Sequence, residues 1–376
     1  MPNASDAASG DPSPAEDSVG GPADARTRAR RAGHNLTPPG WAITAVVVIA
    51  LVAAPWILTN SFLRFVATLT VMYMAMSMSW NIMGGMTGYI SLGHSFFFGI
   101  GAYATGLMAN EIGINPFLGS LLAGFLVAVI AAGVGFIALR VRGASFVIVT
   151  LSLVYIGSLG AQGWRSVTGG SRGLTLPTLD VGGALSHVPF YYAFALLLLV
   201  VLGLSAWLRR SRFGLALTAI REDEDKAEML GIDTASTKLV AFVLSAVFVG
   251  IAGGLYAYWR VFLDPIFVFG IAVSVQMILI ALIGGVRSLW GPVLGAVLFM
   301  PGSYYLLTTY PQWHLLLTGI VLGLVVLFLP DGIIPSVRHR LDRFGPQAAS
   351  IREAAAGSGG GAGDVDSSQP MSSVRS

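Results

Sequence analysis

Few residues in this chain can do chemistry, and they are unevenly placed. Twelve of the 41 charged residues fall between Arg209 and Lys238, in RRSRFGLALTAIREDEDKAEMLGIDTASTK. Arg209, Arg210, Arg212, Arg221, Lys226 and Lys238 are basic, and Glu222, Asp223, Glu224, Asp225, Glu228 and Asp233 are acidic. The nearest charges outside this island are Asp180 and Arg260. Six cations matched to six carboxylates in an otherwise apolar chain make a contact surface for a soluble partner. Other reactive types are scarce. There is no cysteine, so disulfide and thiolate chemistry are excluded. The five histidines, His34, His94, His187, His314 and His339, have no metal-ligand spacing. His94 alone stands in a setting rich in other polar groups. The two lysines follow Asp225 and Thr237, so the Gly-Lys-[Ser/Thr] of a phosphate-binding loop is missing and the chain is not by itself a P-loop ATPase.

The elements that must position these residues are membrane helices. The 376 residues are 55% hydrophobic and 11% charged, and mean hydropathy is +0.74. A soluble domain carries about 25% charged residues. Ten apolar runs approach the roughly 20 residues a transmembrane helix needs: 41–59, 62–83, 92–109, 117–139, 145–163, 189–208, 239–259, 270–286, 291–309 and 313–330. With both termini inside, 18 of the 22 basic residues fall on the cytoplasmic side, leaving Arg64, Arg165, Arg172 and Arg260 outside. This topology accounts for the pI near 9.3 without a nucleic-acid partner. Residues 1–40 and 336–376 read as largely disordered cytoplasmic tails, and the late first apolar run does not fit a cleaved signal peptide. The expected fold is an all-α integral membrane protein with about ten transmembrane helices, Gly-rich interrupted segments and both termini cytoplasmic. Residues 41–335 form the membrane domain, with a loop at 209–238.

No Asp, Glu or Lys falls inside the ten runs. That argues against a proton-coupled carrier, which keeps intramembrane carboxylates or histidines as relays, and against a membrane-embedded enzyme built on paired acids. Between the second and third runs, NIMGGMTGYISLGHS (81–95) breaks the helical pattern with Gly84, Gly85, Gly88 and Gly93. Two readings stand. Broken backbone lines a substrate path with Asn81, Ser91, His94 and Ser95, or a short turn leads into a glycine-packed helix. Ser91 is the expected N-cap of the next helix. A partial echo, GGVRSLWG, occurs at 284–291. Within the island, residues 219–231 predict one short amphipathic helix with Ala219, Ile220, Ala227, Met229 and Leu230 on its apolar side and residues 222–225 near its N-terminus.

Five segments carry a resemblance: GYISLGHSFFFGIGAYATGL (88–107), TGGSRGL (168–174), AIREDEDKAEMLGID (219–233), KLVAFVLSAVFVGIAGGLYA (238–257) and GGVRSLWGPVLGAVL (284–298). Together the chain resembles LivM-type permease subunits of branched-chain amino-acid ABC importers. The extra N-terminal run and the length fit this type better than its shorter sister permease. The resemblance implies a coupling loop, Arg221, Glu222, Asp223, Glu224, Asp225, Ala227 and Gly231, that docks into a cytoplasmic ATPase. The E-A-A-x-x-x-G frame of many permeases is degenerate here, reading Asp225-Lys226-Ala227-x-x-x-Gly231. It also implies a sister permease, two ATPase subunits that hold ATP and Mg, an extracytoplasmic binding protein, surrounding lipid, and the cytoplasmic membrane of a prokaryote. The chain itself is expected to hold no cofactor or metal and to be no enzyme. Tyr155 stands where relatives often carry a carboxylate, which joins it to the pathway residues and widens the implied substrate class from leucine, isoleucine and valine to related amino acids. A self-sufficient facilitator for a small polar solute such as urea or an amide is the alternative.

Overall fold

Caps and prolines divide the apolar chain into helices. The computed structural model describes residues 40–177, 188–328 and 332–333. The tails read at 1–40 and 336–376 lie outside these residues, apart from Gly40. Helix α1 is Gly40–Ile57. Asn60 then accepts the Phe62 amide at 2.9 Å and starts α2, Ser61–Thr87. Next come α3 (His94–Ile112), α4 (Pro116–Ala138) and α5 (Ala144–Gly163). Asn115 caps α4 with Pro116 in its first turn, where a missing N–H costs nothing. Short α6 (Arg165–Thr168), a 3₁₀ turn at Gly170–Arg172 and strand β1 (Leu174–Thr175) follow. The remaining elements are α7 (Val188–Arg210), α8 (Arg212–Glu222), α9 (Glu224–Met229), α10 (Thr234–Arg260), β2 (Phe262–Leu263), α11 (Pro265–Val268), α12 (Ile271–Gly284), α13 (Gly291–Thr309) and α14 (Pro311–Phe328).

A helix lies at each of the ten places read from hydropathy. Among the described residues, seven are long and apolar enough to cross a membrane: α2, α4, α5, α7, α10, α11–α12 taken together, and α13. The molecule is an all-α integral membrane protein.

Helix α10 is the centre of the packing, against α2, α3 and α4. Its contact with α3 is backbone to backbone. A Cβ on Gly101 would stand 2.0 Å from the Gly250 carbonyl oxygen, and one on Gly253 would stand 2.1 Å from that of Phe98. Small residues that let helices touch in this way replace the hydrophobic driving force that lipid does not supply. From Lys238 to Arg260, α10 rises about 33 Å at 1.5 Å per residue, which matches a hydrocarbon core of about 30 Å. At its far end, β2 pairs antiparallel with β1 in the register Leu174↔Leu263 and Thr175↔Phe262.

Three expectations are corrected. Gly84 and Gly85 do not break α2, which runs to Thr87. The interruption is 88–93, opened by Gly88 in the left-handed region at φ 78°. Gly85 instead gives room, since a Cβ there would lie 2.9 Å from the Val286 carbonyl oxygen. Ser91 is not the N-cap of α3. Gly93 holds that place, and the Ser91 hydroxyl accepts the Gly93 amide at 3.2 Å in a local turn. Finally, α10 begins before its apolar run does, so Lys238 lies within a membrane-length helix.

Candidate functional site

Successive caps shape the charged island. Ser211 accepts the Gly214 amide at 3.1 Å and starts α8. Its Gly214, Leu217 and Ile220 recur every third residue and are buried. Asp223 then adopts an extended backbone and accepts the Lys226 amide at 3.1 Å, starting α9. Asp233 accepts the Ser236 amide at 3.1 Å and starts α10. The single helix expected over 219–231 is therefore two helices broken at Asp223, because an Asp with a free amide three residues on is a better cap than helix interior. The break also splits the expected apolar side. Ile220 and Ala227 face inward, while Met229 and Leu230 are 86% and 80% exposed. Gly231, at φ 82°, makes the turn between α9 and α10.

Charge fastens α9 to three distant segments. Lys238 Nζ lies 2.5 Å from Glu224 Oε1, and both side chains are nearly inaccessible. The Tyr89 hydroxyl, from the 88–93 interruption, donates to the other Glu224 oxygen. Lys238 also donates to the Tyr89 hydroxyl at 3.3 Å and sits 4.9 Å from the centre of its ring. Arg142, in the turn before α5, reaches Glu224 at 3.3 Å, Asp225 at 2.6 Å and Glu228 at 3.5 Å. Burial works to raise the Glu224 carboxyl, but the hydrogen bonds from Lys238 and Tyr89 outweigh it and hold the group below the usual glutamate range. Burial, and then the neighbouring Glu224 charge, push the Tyr89 phenol up.

On the other side of the island, Arg221 donates to the Gly85 carbonyl at 2.5 Å and Arg209 to the Arg287 carbonyl at 2.7 Å. Arg287 lies 3.9 Å from Glu222. The two Gly-Gly segments noted in the sequence, at 84–85 and 284–285, thus meet beside the island. Of the residues singled out in the island, Glu224 is its hub. The sequence reading missed three of Glu224's partners or gave them no role: Tyr89, Arg142 and Lys238. A solitary lysine opening an apolar run was the available signal for one of them.

Asn81, Ser91, His94 and Ser95 are all buried. Ser91, His94 and Ser95 sit where α2, α3, α10 and α12 cross. His94 Nε2 is 3.0 Å from the Ser245 hydroxyl, the Ser95 amide donates to the Ser274 hydroxyl at 2.8 Å, and Trp80 Nε1 donates to the Ser91 carbonyl at 2.9 Å. Asn81 Oδ1, His94 Nδ1 and Ser95 Oγ are buried without a hydrogen-bond partner. A closed layer holding unused polar atoms is an energetic liability unless it opens or hydrates. Tyr155 is apart from this layer, exposed on α5.

Comparison with known proteins gives the family. Residues 62–330 match the family described as branched-chain amino acid transport system / permease component. The chain belongs to that family. It is 31% identical over 325 residues to the high-affinity branched-chain amino acid transport system permease protein LivM of Escherichia coli K12, covering 80% of this chain and 76% of the relative. It is 28% identical to LivH of the same organism, over 71% of this chain and 92% of the relative. With BraD of Pseudomonas aeruginosa it shares 25% identity over 70% of this chain and 91% of the relative. No solved structure matches the chain. These relatives are transport permease subunits rather than enzymes.

Proposed function

We propose that this chain is the LivM-type permease subunit of an ATP-driven importer for branched-chain or related amino acids. The observation that carries the proposal is the island. A short helix is clamped on its inner side by Lys238, Tyr89 and Arg142, and turns Met229 and Leu230 into solvent. Fully burying such a side chain is worth about 1.5–3 kcal/mol, so this pair favours a partner that covers it. The island end is the cytoplasmic end in the ten-span topology, which keeps 18 of 22 basic residues inside and both termini cytoplasmic. The partner there is an ATPase subunit, one of two that hold ATP and Mg, while a sister permease and an extracytoplasmic binding protein complete the importer in a prokaryotic cytoplasmic membrane.

When the ATPases close, α9 moves with them. Its ionic clamp passes the displacement to α10, to the 88–93 interruption and to the turn before α5. The helices rock between outward- and inward-facing states, a shift in population driven by contacts that differ between the two. Asn81, Ser91, His94 and Ser95 lie on the route, and Asn81, His94 and Ser95 find their missing hydrogen bonds when the crossing opens. Tyr155 joins the route where α5 faces the sister permease.

The test is Met229→Asp combined with Leu230→Asp. Both positions are exposed, so thermal stability should change by no more than about 0.5 kcal/mol. Co-purification with the ATPases and ATP-dependent uptake should be lost. Unchanged association and uptake would sink the coupling role. Uptake that persists without any ATPase would favour a facilitator instead.

A further inference from the structure

At the end of the bundle opposite the island, a cavity of about 410 Å³ opens between α2, α10, α12 and α13. Small-molecule sites span about 300–1,000 Å³. Two opposite charges border it, Arg260 at the last position of α10 and Asp264 just after β2. No ion pair joins either to another charge among the described residues. Each is held in place by other means. Arg260 lies 5.3 Å from the centre of the Phe65 ring, a cation over an aromatic face. A guanidinium has five N–H donors, so a fork for a carboxylate is still available. Asp264 accepts the Ile266 amide at 2.9 Å as the cap of α11, which leaves most of its acceptor capacity unused.

The backbone between the two charges is also unusual. Val261 adopts φ 62°, the only non-glycine residue in the left-handed region among the described residues. A β-branched residue is strained there, and such strain persists where surrounding structure demands it. Here the turn ends α10 at Arg260 and leads the chain through β2 to Asp264. The rest of the lining is apolar or neutral, with Leu69, Val268 and Met300 supplying an aliphatic wall and Gln276 a polar group.

We propose that this cleft binds a free zwitterionic amino acid. Its carboxylate lies on Arg260, its ammonium on Asp264 and its aliphatic side chain against Leu69, Val268 and Met300. One charge of each sign disfavours a simple anion or cation, since either would leave the like charge unanswered. The proposal rests on the import reading only in making the cleft a station on the substrate's route.

The chain has no cysteine, so a single reporter can be placed without removing others. Leu307 borders the cleft and is exposed. In the purified full-length Leu307→Cys chain, maleimide labelling is timed with leucine, with isovalerate (carboxylate alone) and with isopentylamine (ammonium alone). Millimolar leucine should slow labelling several-fold, and neither single-charge analogue should. Asp264→Asn, which keeps the cap, and Arg260→Gln should each abolish protection, while Arg260→Lys should retain part of it. Absence of protection by leucine, equal protection by an analogue, or protection that survives Asp264→Asn would overturn the proposal. If either charge variant does not fold, the analogue comparison in the Leu307→Cys chain decides. Uptake in cells carrying the whole system separates the two claims. Labelling that leucine does not slow, with ATP-dependent uptake intact, removes the cleft and leaves the importer. A protected cleft with ATP-independent uptake does the reverse.

Discussion

The buried pair of Glu224 and Lys238 supports a prediction with an internal control. Lys238 has its Nζ 2.5 Å from Glu224 and keeps 4% side-chain exposure, against 11% for Glu224. The two ends are not equivalent. Glu224→Gln leaves the Lys238 charge buried with no anion beside it, only the glutamine amide oxygen and the Tyr89 hydroxyl and ring. An orphaned buried charge costs roughly 3–5 kcal/mol. Lys238→Met leaves Glu224 with Arg142 at 3.3 Å and the Tyr89 hydroxyl. That loss is closer to one charged hydrogen bond, about 1.5–3 kcal/mol. The double variant removes both charges together, and the glutamine amide keeps Tyr89 and Arg142 as hydrogen-bond partners, so neither a buried unpaired charge nor an unpaired polar group remains. At about 2–4 °C per kcal/mol, Glu224→Gln should lower the unfolding temperature on the order of 10 °C. Lys238→Met should lower it by about half as much, and the double variant should return to within a few degrees of the parent. The assay is thermal unfolding of the detergent-solubilised chain at a fixed scan rate. A double variant worse than Glu224→Gln, or Lys238→Met worse than Glu224→Gln, would refute the reasoning, because the clamp would not then be a closed charge pair with Arg142 in reserve.

The same network sets a pH dependence. The Glu224 carboxyl titrates lower in the folded chain than in the unfolded one, so its charge favours folding above about pH 4.3 and that contribution is lost as pH falls through the folded value. The stability gap between the parent and Glu224→Gln should therefore be constant from pH 7 to about pH 5 and narrow below about pH 4, measured by unfolding at each pH. The helix junction at 284–291 gives another contrast. A Cβ on Gly284 would lie 1.7 Å from the Gly291 carbonyl oxygen, whereas one on Gly302 would meet nothing within 4 Å. Gly284→Ala should lower stability by at least about 1–3 kcal/mol. Gly302→Ala should be neutral or stabilising by up to about 1 kcal/mol, and equal effects on thermal unfolding would contradict the close approach of α12 and α13.

The membrane class, the places of the helices and the isolation of one charged segment all follow from the sequence alone. They rest on composition and on runs of apolar residues, which are local properties, and lipid permits few structures besides a helix for such a run. Helix ends were less legible. Gly84 and Gly85 read as breakers, yet α2 passes through them, because in a packed bundle a glycine is spent on close contact as readily as on a turn. The break in the island at Asp223 was likewise missed. A capping residue competes with helix continuation over a small energy difference, and here the inward pull on Ile220 and Ala227 settles the competition.

Only the tertiary structure decided which charges meet. Tyr89, Arg142, Glu224 and Lys238 are spread over some 150 positions of sequence, and nothing in their spacing pairs them. The crossing of α10 with α3 at Gly101 and Gly250 and the turn at Gly231 bring them to one end. Arg260 and Asp264 are only four positions apart, but that they border a cleft with Leu69 and Met300 depends on how α2 and α13 pack. Local sequence determined that this chain is a membrane bundle with a polar end. Long-range packing determined that its charged island is clamped to three distant segments and that a cleft bordered by two opposite charges lies about 33 Å away along α10.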